Sequence, residues 1–183
     1  MPLFLPLLGK GFRVTAQMGC SIKDFLCGQL GIDAGYLEHR IQTVFLNGKA
    51  VDDLETAHIM EGAVLALSGA MPGLAGATLR RGGRLRQMRG EISYANDHVI
   101  CSGKQGQLTL KLFNLTLKDL GPRFLQRGIW VKGKELQHFL TQRVDLIRQN
   151  CRDIRLNGHT ADISKIVTTD WGDSDVLFTV AYA

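Results

Sequence analysis

The spacing of apolar positions in the first half of the chain changes several times. Leu3–Leu8 is almost wholly apolar and Phe12–Gln17 alternates, with Gly9-Lys10-Gly11 between them. This predicts strand, turn, strand. Pro6 cannot donate to a ladder, so an interruption is expected there. In "GCSIKDFLCGQLGI", residues 19–32, Ile22, Phe25, Leu26 and Leu30 recur at helical spacing. Ser21 and Asp24 form a capping-box pair, and Gly31 suits the helix exit. "IQTVFLNGKAV", residues 41–51, sets two β-rich runs around Asn47-Gly48, a strong hairpin signal. Ala63–Ser68 is a continuous apolar run, as in a strand buried on both faces. "AMPGLAGA", residues 70–77, reads as a loop whose apolar surface comes from Met71, Pro72 and Leu74.

Beyond residue 90 the pattern predicts strands at Glu91–Tyr94, His98–Ser102, Gln107–Leu117, Ile129–Lys132, Arg152–Leu156 and Val176–Ala181. Pro122 opens a short helical turn with Phe124 and Leu125. Glu135–Gln149 reads as one long amphipathic helix, with Leu136, Phe139, Leu140, Val144 and Ile147 on one face. The expected fold class is α+β, in two domains of residues 1–78 and 91–183 joined by an Arg/Gly-rich linker, Leu79–Gly90. "VFLNGKAVD" at 44–52 is echoed by "IRLNGHTAD" at 154–162. Convergence on a good turn and duplication of a fold both account for the echo.

Charge sharpens this division. The formal net charge is +5, yet residues 1–78 hold five basic and seven acidic side chains, and residues 91–183 twelve and ten. Leu79–Gly90 holds five arginines (Arg80, Arg81, Arg84, Arg86, Arg89) and no acid, so the whole excess equals the charge of the linker. Five arginines without an acid nearby resist burial, which predicts an exposed connector. The cluster suits an acidic or phosphate-bearing partner. It lacks the interleaved aromatics of single-stranded nucleic-acid platforms, so nucleic acid is not the expected ligand.

Hydrophobic residues make up 45% and charged residues 21%, enough for packed cores. The apolar N-terminal stretch has no basic start and two prolines, unlike a secretory signal. The uncharged stretch Ala63–Leu79 contains three glycines and a proline, so no membrane span is expected. A cytoplasmic protein follows, with its four cysteines (Cys20, Cys27, Cys101, Cys151) reduced. Cysteine and histidine spacing offers no metal site, and no cofactor is expected. Asp170, Asp173 and Asp175 around Trp171-Gly172 read as a solvated acidic turn. No nucleophile elbow, phosphate loop or dinucleotide fingerprint occurs, so no catalytic residue is assigned and the reading leans away from an enzyme.

With these elements in place, residues 1–73 resemble the β-grasp, ubiquitin-like sulfur carriers of the MoaD/ThiS family. The matching residues are Gly19, Ser21, Ile22, Asp24, Phe25, Leu26, Leu30 and Gly31, then Asn47, Gly48, Lys49 and Val51, then Glu61, Gly62, Val64 and Leu67. The resemblance implies an N-terminal β-grasp domain, followed here by a second α+β domain of mixed strands and one long amphipathic helix. Such carriers end in Gly-Gly, whose terminal carboxylate becomes a thiocarboxylate. In "ATLRRGG", residues 77–83, the pair Gly82-Gly83 lies fourteen residues beyond Ser68 and is followed by a hundred more. Its carbonyls are peptide carbonyls, and carrier chemistry requires cleavage.

Three readings follow. The first is a two-domain binding or scaffold protein that recognises a protein partner non-covalently, with Met71, Pro72, Leu74, Arg80, Arg81, Arg84 and Arg86 as candidate contacts. The second is a sulfur-carrier precursor processed at Gly82-Gly83. The third is an enzyme with its site in residues 91–183.

Overall fold

The computed structural model describes residues 2–94, 101, 103–169 and 171–182. The strand expected over Leu3–Leu8 is helical instead: a 3-10 turn, Pro2–Phe4, leads into helix α1 (Leu5–Leu8). Pro6 falls in the first turn of α1, where a missing N–H costs nothing. Phe4, Leu7 and Leu8 share a buried face at helical spacing. The Gly9 N–H closes onto the Leu5 carbonyl at 2.8 Å, so Gly9-Lys10-Gly11 is a helix exit and not a hairpin. Strand β1 (Phe12–Gln17) then alternates as expected, burying Phe12, Val14 and Ala16.

Ser21 begins the next helical segment as predicted. Its hydroxyl accepts from the Asp24 N–H at 3.0 Å and donates to the Asp24 carboxylate at 2.8 Å. Asp24–Gln29 is a π-helical turn, with the Leu30 N–H reaching the Phe25 carbonyl at 3.0 Å. Ile22, Phe25 and Leu26 are fully buried. Helix α2 (Ala34–His39) follows, capped by the Asp33 carboxylate. Strands β2 (Thr43–Leu46) and β3 (Lys49–Ala50) meet at Asn47-Gly48, both at positive φ, and β4 (Val64–Ser68) completes the first group. The small-residue stretch read as a loop is helix α3 (Gly73–Leu79). Gly76 lets α3 fold back on itself, since a Cβ there would lie 1.8 Å from the Met71 carbonyl oxygen. Arg86–Ile92 is a 3-10 stretch kinked at Gly90. The strand expected at Glu91–Tyr94 is reduced to a bridge between Ser93 and Ala50. Most of the one expected over 98–102 lies outside the described residues.

Strand β5 (Gln105–Phe113) stops earlier than predicted, because Asn114 turns at positive φ into helix α4 (Leu115–Arg127). Pro122 sits within α4 and does not open it. After β6 (Ile129–Lys132), the predicted long helix is two: α5 (Gly133–Thr141) and α6 (Val144–Asn150). The break is at Arg143, whose φ is −137°. β7 (Cys151–Leu156), β8 (His159–Thr160), α7 (Ile163–Thr168) and β9 (Asp175–Tyr182) follow.

The chain is mixed α+β and divides into two compact units, residues 15–117 and residues 1–14 with 118–183. Limits at 78 and 91 do not coincide with this division, and the 79–90 segment falls inside the first unit. In residues 15–117 the strands run β3-β2-β4-β5, with the end of β1 next to β5. β2 is antiparallel to β3 and β4, whereas β4 and β5 are parallel. Ile22, Phe25, Leu26, Leu65, Leu67 and Leu110 are fully buried in this unit. In the other unit the order is β1-β6-β9-β7-β8, antiparallel throughout. Phe4 anchors its core, with ring centroids 5.6 Å from Phe139 and 5.8 Å from Phe178.

The sequence echo extends to geometry. Asn47-Gly48 and Asn157-Gly158 have φ of 50° and 79°, and 51° and 83°. Each asparagine also clamps the strand after its hairpin. Asn47 Oδ1 accepts from the Val64 N–H of β4 at 2.8 Å, and Asn157 Oδ1 from the Leu177 N–H of β9 at 2.9 Å. The same three-strand unit, hairpin plus clamped third strand, thus occurs twice.

Candidate functional site

The arginine-rich segment is docked, not free. Arg89 is 5% exposed. Its guanidinium takes both oxygens of Asp52, at 3.1 and 3.0 Å, and also donates to the carbonyls of Thr78 (2.5 Å) and Arg80 (2.6 Å). A guanidinium this well paired can be buried, because four of its donors are engaged and its charge is met. Asp52 also receives the Gly82 N–H at 2.8 Å. The Arg81 N–H reaches the Gln42 carbonyl at 2.8 Å, and its side chain meets Glu38 at 3.2 Å. Leu79–Gly90 is largely exposed, as expected, but it is not a connector between units: it docks within residues 15–117 through Arg89, for which Asp52, far away in sequence, supplies the acid. Gly82, at φ +63°, and Gly83, which donates to the Arg80 carbonyl at 3.0 Å, form a turn in this docked segment.

The predicted contact residues separate into two groups. Pro72, Leu74, Arg80, Arg84 and Arg86 are exposed, whereas Met71 and Arg81 are half-buried. Leu74 is 66% exposed and Met88 65%, with Leu85 and Ile92 also exposed, so four large apolar side chains of the 73–92 stretch reach solvent along with three arginines. Among the described residues Arg80, Arg84 and Arg86 pair with no carboxylate. After internal pairing, that positive charge is left to solvent or a partner.

Among the described residues, two of the cavities are lined wholly from within 15–117. One, of about 630 Å³, is polar and of mixed charge, with Glu38, Asp52, Asp53 and Glu55 facing Lys23, Arg80 and Arg81. Lys23 and Glu55 pair across 2.5 Å, which raises the lysine pKa. The other, of about 800 Å³, lies against β2, β4 and β5 and is walled mainly by apolar side chains, among them Met71 and Leu79. The sequence marked Met71 as a surface residue. That it helps wall a cavity depends on strand pairing, which no local pattern reveals.

Other constellations are structural. Cys20 and Cys101 are joined by a disulfide, with Cα atoms 4.6 Å apart, correcting the expectation that all four cysteines are reduced. They are 81 residues apart, so spacing carried no signal. Cys27 and Cys151 are free, and burial raises both thiol pKa values. In the acidic turn Asp170 lies outside the described residues. Asp175 pairs with Arg13 and, at 2.8 Å, with Lys132. The Arg13 guanidinium first, and then Lys132, hold its carboxyl down to about 2. No metal-holding group of acids, cysteines or histidines occurs among the described residues, and no described helix is long and apolar enough to cross a membrane. His138 is exposed and contacts Gln142 at 3.0 Å. The chain matches no family model, no curated protein and no solved structure.

Proposed function

We propose that this protein acts as an intact polypeptide and recognises a protein partner non-covalently, through the exposed side of the 73–92 segment. The observation that carries the reading is the pairing of apolar Leu74 and Met88 with the unpaired Arg80, Arg84 and Arg86 on one docked segment. Aliphatic side chains supply burial on contact, and arginines supply charge-assisted hydrogen bonds to an acidic surface. Docking through Arg89 and Asp52 orders the segment beforehand, which lowers the entropy cost of binding.

The β-grasp reading, made for residues 1–73, draws support from the strand order seen over residues 15–117. In that fold the first and last strands lie parallel at the centre. Here β4 and β5 are parallel neighbours, with β5 in the place of the first strand and β1 beyond it. With residues 3–8 helical, this order is what a β-grasp in permuted form would give. Gly82-Gly83 serves as a turn in this scheme. Its N–H groups are engaged by Asp52 and Arg80, which supports an intact structural turn over a cleavage site.

The test has two parts. Protein purified from its own host should have the mass of the full chain; a species ending at Gly83 would instead establish the carrier precursor. A partner retained by the native chain should be lost when Arg80, Arg84 and Arg86 are all replaced by Glu, with the melting temperature unchanged. Retention by the triple variant would overturn this surface.

A further inference from the structure

The apolar cavity leads beyond protein recognition. Along β5, Leu108, Leu110 and Leu112 are buried, while Thr109, Lys111 and Phe113 face the other way. Strand register sets Phe45 of β2, Ala66 of β4 and Lys111 of β5 in one row. Ala66 is the smallest of the three, so the row sinks between its neighbours. Val64 and Phe113 prolong this trough, and Met71 and Leu79 stand over it. The resulting volume, about 800 Å³, lies in the range of small-molecule sites.

Lys111 is the one charged side chain in this lining, and it is half-buried. No carboxylate pairs with it among the described residues. The polar neighbours are Asn47, whose oxygen is taken by the Val64 N–H, and Ser68 and Asn114, which meet each other at 3.4 Å. A half-buried lysine at the edge of apolar walls, with no carboxylate on it, offers a charge-assisted contact to a ligand anion. A single cation matches a single negative charge. A phosphate monoester, carrying about −1.5 to −2, would bring uncompensated charge into an apolar trough.

We propose that this cavity binds an amphipathic monocarboxylic acid, its apolar body lying along Phe45, Ala66 and Phe113 and its carboxylate on Lys111. The cavity lining includes none of Arg80, Arg84 and Arg86, and neither proposal depends on the other.

Calorimetry on the full chain tests it, with decanoate, 1-decanol and decylammonium below micelle-forming concentrations. Decanoate should bind with a stoichiometry of one. It should bind roughly ten- to a hundredfold more tightly than decanol, the effect of one charge-assisted contact, with decylammonium weakest. Lys111→Gln should erase the preference for decanoate while leaving decanol binding unchanged, and Lys111→Arg should retain it. Ala66→Leu, which fills the trough, should abolish binding of both; its thermal unfolding would report that the fold persists. Equal affinity of the native chain for decanoate and decanol, absence of saturable decanoate binding, or a preference that survives Lys111→Gln would each overturn the proposal.

Discussion

At the scale of single residues, local rules were readable and distant partners were not. Asn47-Gly48 announces its turn because both residues tolerate positive φ. Ser21 and Asp24 announce a helix start for a similarly local reason. Arg89 could not be placed from sequence, because its burial rests on Asp52, 37 residues away. Replacing Arg89 with Ala should cost about 3 kcal/mol in denaturant unfolding, since the change strands the buried side of Asp52 and two carbonyls. Phe25 is 0% exposed, and Phe25→Ala should cost roughly 3–5 kcal/mol. Asp175 provides a pH-dependent case. Its folded pKa, about 2, lies below the ordinary 3.8. The ion pairs therefore stabilise fully above about pH 4, and their contribution is lost as pH falls through 2. The side chain is 36% exposed, so solvent screening limits the contribution to about 1 kcal/mol at most. Asp175→Asn should lower stability at pH 7 by up to that amount, and the difference from the native chain should shrink below pH 4 and vanish only below about pH 2.

At the scale of elements, periodicity distinguished helix from strand only where the segment was long or capped. Leu3–Leu8 is too short and too uniformly apolar for its period to be read, and burial of Phe4, Leu7 and Leu8 decides for helix. The 70–77 stretch hid α3 because its small residues carry no amphipathic signal; the helix depends on Gly76 meeting Met71. The break between α5 and α6 leaves no mark in the apolar spacing, which runs on through Val144 and Ile147. Gly28, in the π-helical turn, has nothing within 4 Å of where a Cβ would stand. Gly28→Ala should therefore stabilise by up to about 1 kcal/mol, read as a higher urea midpoint with an unchanged slope. Limited trypsin treatment should cut at the exposed Arg84 and Arg86 before the buried Arg89. Early cutting at Arg89 would show that the Asp52 pairing opens readily.

At the scale of the whole molecule, the α+β class was legible and the connectivity was not. Predicting two consecutive domains assumed that sequence neighbours pack together. Here residues 1–14 belong with 118–183, and residues 15–117 form the other unit. The apolar N-terminal stretch gives no hint of this, because Phe4 finds Phe139 and Phe178 only through long-range packing. This arrangement has a consequence during synthesis. A ribosome releases residues 1–14 long before their partners in 118–183. Elongation proceeds at roughly 5–20 residues per second, so Phe4, Leu7 and Leu8 wait for seconds with no native surface to cover them. Over that interval the nascent chain presents an uncovered apolar segment of the kind that general chaperones bind, while residues 15–117 are free to fold as they leave the exit tunnel.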